Sequence, residues 1–324
     1  MLKTIGEMEQ ELQAGKAFFI AGEEELLKKL PRGNWIGGTI PYFMAETGGV
    51  VTQEKVFATE VPPGTVETSI SWYTEKSLPR LPGDSPDNGF TFVIIPATSA
   101  THVSFAQNAP EYEGNFLKNL IGWISGVHLN DLGSKAPKVF NGKTGENSAQ
   151  DTISMHCTLE EGRIPTIGII NLFRQGDGDT ITFDETGFSV GECRINGERE
   201  NFAKYLTRIE ADTRLPLVAN YSGAMVNVSF QAVKPEEGVV DLYAPVFSGV
   251  EYRIAAPVGD YVTEFSRLLP SGLDTAFSCN CILNFLYSEL EGKVTAGMAG
   301  PVTFGEIAYQ LLNQTLVYLE IRSA

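Results

Sequence analysis

The sequence predicts an α/β (α+β) fold of mixed, largely antiparallel sheets packed with helices, arranged as two halves of similar style. Three observations carry this expectation: a β-α-β opening over residues 18–40, a continuous apolar run at Phe90–Ile95, and short strands punctuated by glycine turns from Lys138 to Arg194. A length of 324 residues exceeds the usual range of a single core, so two halves are expected.

Leu2, Ile5, Met8 and Leu12 recur at helical spacing between acidic residues, which predicts an amphipathic helix over residues 1–16 packed on a sheet. Phe18–Ala21 reads as a strand. Glu23–Leu30 reads as a helix with acids first and lysines last, in accord with the helix dipole. Pro31 and Gly33 stop it, and Trp35–Ile40 predicts a second strand entering a glycine turn. From Val50 to Tyr73 the alternation of Val66, Thr68, Ile70 and Trp72 about the Pro62-Pro63-Gly64 turn predicts antiparallel strands. Leu78–Gly89, rich in proline and glycine, reads as a surface loop, and Phe90–Ile95 as a strand buried on both faces. Phe116–Trp123 reads as a helix leading into a glycine-bounded strand at Gly122–Gly126.

Phe202, Tyr205, Leu206 and Ile209 share one helical face, so a helix over Glu198–Ile209 closes the first half. The second half repeats the style. Strands run through Val218, Val226–Phe230, Val239–Tyr243 and Tyr252–Ala255, and a helix lies near Tyr261–Leu269. Two final strands, Ala276–Tyr287 and Gln314–Ile321, flank a last helix beginning near Gly305-Glu306.

Hydrophobic residues make up 43% of the chain and charged residues 20%, a composition that folds. The formal charge of −16 repels phosphate backbones and anionic membrane surfaces, so nucleic acid is not expected as a partner. No apolar run reaches the ~18 residues a spanning helix needs, and the N-terminus lacks the pattern of a secretory leader. Membrane insertion is therefore not expected. Four scattered cysteines do not form the framework of a secreted domain, so a cytoplasmic protein with reduced thiols is expected.

The chemistry-bearing residues are sparse. His102, His128 and His156 stand apart, which argues against a multi-histidine metal site. His156 and Cys157 are strand neighbours and point to opposite faces, whereas Cys279 and Cys281 are two apart and share one. The Cys279-x-Cys281 pair lacks the second pair of a zinc signature and reads as small hydrophobes in a buried strand. No Gly-x-Ser-x-Gly elbow, Walker loop or dinucleotide fingerprint occurs, and Gln175–Asp179 reads as a hairpin turn. What remains are glycine-rich turns at strand ends: Ile36-Gly37-Gly38-Thr39, Gly122–Gly126 and Gly300–Glu306. There glycine lets backbone approach either backbone or a ligand closely.

In order and spacing these segments resemble the FIST family, the F-box and intracellular signal transduction domains. Phe18–Ala21 followed by a helix and Ile36-Gly37-Gly38-Thr39 is similar to the family's opening. Gly122–Gly126, Phe140-Asn141-Gly142 and Ile195-Asn196-Gly197 with Phe202–Leu206 follow in the family's order. The ending, Phe277-Ser278-Cys279, then Phe304-Gly305-Glu306-Ile307, then Asn313–Val317, carries most of the likeness. The resemblance spans the chain and implies an N-terminal part at 1–210 and a C-terminal part at 211–324. It implies a sensory module that binds a small ligand, amino acids among them, and acts through partner signalling proteins. Some members bind haem, for which no histidine here can be assigned as axial ligand. Two departures stand out: Asn280-Cys281-Ile282 lacks an arginine that members often carry, and Pro41-Tyr42-Phe43 replaces a Gly-Glu continuation.

The resulting expectation is a ligand-binding, non-enzymatic protein with no committed cofactor. Its pocket at the strand ends would be lined by Gly37, Gly38, Thr39, Tyr42, Cys279 and Glu306. Fully packed turns would instead favour a ligand-free interaction subunit. An exposed, acidic thiol at Cys279 or Cys281 would favour an enzyme.

Overall fold

The computed structural model describes all residues, 1–324. It is α/β, with four six-stranded sheets and one three-stranded sheet. No helix is long and apolar enough to cross a membrane. The chain divides into two compact units. One comprises Met1–Ile170, Leu269–Leu311 and Leu316–Ala324, and the other Asn171–Leu268 with Leu312–Thr315. This differs from the expected division at 210/211. The last strand, Leu316–Ser323, pairs antiparallel along the whole of Arg163–Ile170 and also with Thr275–Cys281. Backbone hydrogen bonding thus returns the C-terminus to the first unit, and residues 171–268 form an excursion between two of its strands.

In the first unit the helix Ile5–Gln13 starts with a capping box. Thr4 Oγ1 accepts from the Glu7 N–H at 3.3 Å, and the Glu7 carboxylate accepts from the Thr4 N–H at 2.7 Å. Its apolar stripe, Met8 and Leu12, is buried with Phe18, Ile20 and Trp35. Phe18–Gly22 and Trp35–Thr39 are parallel neighbours, which confirms the β-α-β opening, although the intervening helix is only Glu24–Leu27. In the second sheet Gly89–Pro96 lies between Leu120–Ser125 and Thr152–Leu159, buried along its whole length. The third sheet runs Arg163–Ile170, Leu316–Ser323, Thr275–Cys281, Gly300–Thr303, Tyr42–Ala45, Gly48–Val51. Between sheets, Phe19 stacks on Phe92 at 3.7 Å, and Trp123 and Phe277 stack at 5.8 Å.

Three local expectations are corrected. Leu78–Gly89 runs along the surface but is not a plain loop, because Leu78 and Leu81 are fully buried and anchor two short helical turns, Leu78–Arg80 and Leu81–Asp84. Before the strand Leu120–Ser125 only a 3-10 turn forms, at Asn115–Leu117, while the helix Ala100–Asn108 is capped by Ser99, whose Oγ accepts from the His102 N–H. No helix begins at Gly305-Glu306. Glu306–Ala308 is a strand paired with Ile121–Trp123, and the left-handed backbone at Tyr309, φ 66°, ends it.

The second unit packs Phe183, Phe202, Phe230 and Tyr252 around the helix Phe202–Arg208. It holds Leu312–Thr315 through buried amides. Asn171 and Asn227 bond each other reciprocally at 3.0 Å, and the Asn227 amide also donates to the Asn313 carbonyl at 3.1 Å. Gln314 accepts from Ser229 Oγ at 2.7 Å and donates to the Arg214 carbonyl at 3.0 Å. Buried polar groups paired in this way hold one arrangement, since leaving any of them unpaired costs its desolvation.

Close approach of neighbouring strands makes some glycines irreplaceable. A Cβ on Gly122 would sit 1.7 Å from the Val93 carbonyl oxygen, whereas one on Gly6, in the first helix, would meet nothing within 4 Å. Gly122→Ala is therefore expected to destabilise the protein by about 3 kcal/mol or more. Gly6→Ala is expected to stabilise it by roughly 0.5 kcal/mol. Denaturant unfolding of the two variants beside the parent measures both.

Candidate functional site

The glycine-rich strand ends of the first unit converge, but unevenly. Successive residues of Trp35–Thr39 face opposite sides, so Gly37 and Gly38 part company. A Cβ on Gly37 would meet the Ile20 carbonyl at 2.8 Å and the Trp35 ring at 3.2 Å, so this glycine serves packing within its own sheet. A Cβ on Gly38 would meet Ile94 at 2.7 Å, Trp123 Nε1 at 2.9 Å and Ser125 Cβ at 3.1 Å, so this glycine faces the second sheet. Thr39 closes the turn. Its Oγ1 accepts from the Lys138 N–H at 2.9 Å, and its carbonyl accepts from the Gly126 N–H at 2.7 Å.

Cys279 and Glu306 reach the same place from the C-terminal segments. The Cys279 thiol points at the Gly122 carbonyl, 3.5 Å away, and Glu306 is paired in register with Trp123. Both are buried, the cysteine 1% exposed and the glutamate 0%. Nearby, Thr303 Oγ1 donates to the Gly305 carbonyl at 3.0 Å, and the Phe304 ring closes over Gly126. Tyr42 stands farther out. Its hydroxyl accepts from the Leu129 N–H at 3.0 Å, and its ring stacks on His128 at 5.6 Å and meets Phe285 edge-on at 5.9 Å. Burial pushes this phenol above its usual range.

Gly38, Cys279 and Glu306 thus gather around Trp123, Thr39 and Tyr42 flank that centre, and Gly37 faces away. Two further residues belong to the centre although sequence reasoning treated them only as part of a glycine-bounded strand. Trp123 Nε1 and Ser125 Oγ are buried and have no hydrogen-bond partner. Indole N–H is a donor only, so a buried indole without an acceptor is an unsatisfied group that a bound guest or water would complete. The available signal was a tryptophan and a serine on a strand otherwise composed of apolar residues and glycine.

The opening beside this centre is small. A crevice of about 10 Å³, lined by Glu23, Glu24, Thr39, Ile40, Pro41, Gly126, Val127, Lys135 and Ala136, has room on the order of one water. Clefts of about 240, 320 and 370 Å³ are lined by none of the six expected residues.

The other reactive groups are buried. Burial, together with the Glu306 carboxylate, holds the Cys279 thiol well above the ordinary thiol range. Burial likewise raises Cys157 and pushes Cys193 up to about 12. A raised pKa suppresses the thiolate that attack or metal ligation requires. His102 Nδ1 accepts from the Thr98 N–H, and burial pushes its pKa down to about 4; His128 Nδ1 accepts from the Asn130 N–H. No group of three or more histidine, cysteine, aspartate or glutamate side chains is arranged to hold a metal ion. All four thiols are expected to resist an aromatic disulfide reagent at pH 8 in the folded protein and to react together in denaturant. Absorbance-monitored titration with and without urea checks this, and rapid native labelling of Cys279 would mark it as accessible.

Comparison with known proteins yields one relationship. No curated protein and no solved structure matches the chain. A family model described as a family of unknown function (DUF6976) matches residues 3–322, nearly the whole chain and both of its compact units. The chain therefore belongs to the DUF6976 family.

Proposed function

We propose that the protein is a non-enzymatic sensory module that binds a small polar ligand at the centre around Gly38, Trp123, Ser125 and Glu306. It would act through partner signalling proteins in the cytoplasm. The observation that carries this reading is the pair of buried, unpartnered groups, Trp123 Nε1–H and Ser125 Oγ, packed against Gly38. Buried donors without acceptors cost of order 1–3 kcal/mol each, and a guest bearing an acceptor atom would recover that cost. The resemblance to FIST domains supports the same reading, because the segments that carry it, at 36–39, 122–126 and 277–306, supply these residues. As it stands, the crevice beside the centre has room on the order of one water. A guest as large as an amino acid requires the Ile40–Tyr42 and Gly126–Leu129 turns to part.

A second reading, a ligand-free interaction subunit, is favoured by the crevice volume of about 10 Å³ and by burial of all six expected lining residues. A cysteine-dependent enzyme is disfavoured by the raised thiols, and a haem sensor by the separate engagements of the three histidines.

Native mass spectrometry and an absorbance spectrum of protein purified without denaturation separate these readings. The ligand reading expects a discrete mass excess that Ser125→Ala weakens about fivefold, the value of one net hydrogen bond. It further expects a rise in thermal midpoint with the retained compound, since saturation at 100 times Kd contributes about 2.7 kcal/mol. A Soret band would install haem. A bare polypeptide mass, with no small polar compound raising the midpoint, would transfer the assignment to the interaction subunit.

A further inference from the structure

Away from that centre, the second sheet ends in an open edge. Its outermost strand, Thr65–Tyr73, pairs antiparallel with Thr152–Leu159 on one side and has no strand on the other. Alternate residues of an edge strand direct their N–H and C=O groups outward, where they offer a template for another strand. Proteins ordinarily guard such edges with proline, charge or a bulge. Here all three guards sit at one end. Pro62-Pro63 precede the strand, its register shifts between Thr65 and Glu67, and Glu67 is its only charged residue. From Thr68 to Tyr73 the strand carries none of them. The outermost strand of the third sheet, Arg163–Ile170, is of similar length but contains Pro165, which has no N–H to offer.

The regular part of the open edge, Glu67–Tyr73, is complementary to itself. In an antiparallel pair related by a two-fold axis the two strands exchange roles, and side chains of one face meet only that face. Full overlap of residues 67–73 sets Ile70 opposite Ile70, Thr68 opposite Trp72, Ser69 opposite Ser71 and Glu67 opposite Tyr73 of a second copy. Thr68, Ile70 and Trp72 share the face on which Thr68 Oγ1 accepts from the Asn34 amide at 2.8 Å, so β-branched and aromatic side chains meet one another there. Ser69 and Ser71 meet on the other face. This register also separates the two Glu67 carboxylates by six residues, about 20 Å, well beyond the screening length of roughly 10 Å at 0.1 M salt. Shifts toward the N-terminus that keep the faces matched bring those carboxylates together, and shifts the other way run past Tyr73, where the strand ends. Beside Thr68 lies the cleft of about 320 Å³ walled by Ala17, Val61, Pro62, Pro63 and Val66. It gives the Trp72 indole of the second copy an apolar wall to cover, including Val66, which is 64% exposed.

We propose that the protein forms a two-fold dimer in which Glu67–Tyr73 pairs antiparallel with the same segment of a second copy and the second sheet continues through both chains. The formal charge of −16 on each copy opposes the encounter, so screening by salt favours it. The pairing does not depend on what fills the centre around Trp123.

Sedimentation velocity of the full chain from about 1 to 100 µM, in about 0.5 M salt, is expected to show a monomer giving way to a species of twice its mass. Amide hydrogen exchange at the two ends of that range should slow at residues 67–73 in the concentrated sample and stay unchanged at 163–170. Ser69 is exposed, and across the two-fold it stands diagonal to its own counterpart, roughly 7–8 Å away. Ser69→Lys and Ser69→Glu should therefore each weaken association several-fold, while an equimolar mixture of the two associates more tightly than either alone. Circular dichroism establishes that the variants fold; if they do not, the exchange of the parent decides. A monomer at every concentration, protection gained outside 67–73 instead of within it, folded variants that associate as the parent does, or a mixture no tighter than its components would each overturn the dimer.

Discussion

The return of the C-terminal strand Leu316–Ser323 is the constraint on which the first unit depends. It forms the seam between Arg163–Ile170 and Thr275–Cys281, and without it the edge strand Arg163–Ile170 would lose its neighbour in the third sheet. Pairing Arg163 with Ser323 closes a loop that contains the entire excursion 171–268. Closure entropy grows only logarithmically with loop length, so a long excursion adds little to the cost of that seam. The same seam sets Thr275–Cys281 beside Gly300–Thr303 and so delivers Cys279 and Glu306 to Gly122 and Trp123.

Glycine then determines how dry that meeting place becomes. At Gly122 and Gly300 an added Cβ would lie 1.7 Å and 1.8 Å from the carbonyls of Val93 and Ser278, so these strands meet with no side chain between them. Gly38 plays the corresponding part against Trp123 and Ser125. Excluding side chains also excludes water, and in so dry a place each polar atom matters more than it would at the surface. This is why two unpartnered groups in the first unit carry more argument than the larger clefts at its surface.

The polar groups of the first unit form two contrasting centres. Around His156 the ring nitrogens lie within 3.2 Å of the Tyr73, Ser154 and Thr91 hydroxyls, and Tyr73 and Thr91 donate onward to Asp84 and Ser85. Around Trp123 the arrangement is incomplete. The first kind of centre fixes one conformation. The second leaves a gain in free energy available to whatever supplies the missing acceptor.

Much of the α/β character was legible from local pattern alone. The apolar run Phe90–Ile95 reads as a strand covered on both faces, the Met8 and Leu12 stripe as a helix on a sheet, and the spacing at 18–40 as β-α-β, because each signal comes from neighbours in the chain. The glycine turns were legible as places of close approach, and three of the six expected residues, Gly38, Cys279 and Glu306, do gather. Local pattern misread Gly305-Glu306 as a helix start, since pairing with Ile121–Trp123 lies outside any window that contains it. It also read 78–89 as a plain surface loop without its two helical turns, because the burial of Leu78 and Leu81 depends on a sheet assembled elsewhere. The sequence by itself determined the β-α-β opening, the first amphipathic helix, the buried strand at 90–95 and the glycine turns as places of close approach. Only the tertiary structure decided that residues 171–268 are an excursion, that Gly37 and Gly38 face opposite ways, that Trp123 and Ser125 are left without partners and that a polar chain through His156 reaches Asp84 on one side and the Leu81 carbonyl on the other. Those are statements about which distant residues become neighbours, and long-range strand pairing, not local propensity, makes them so.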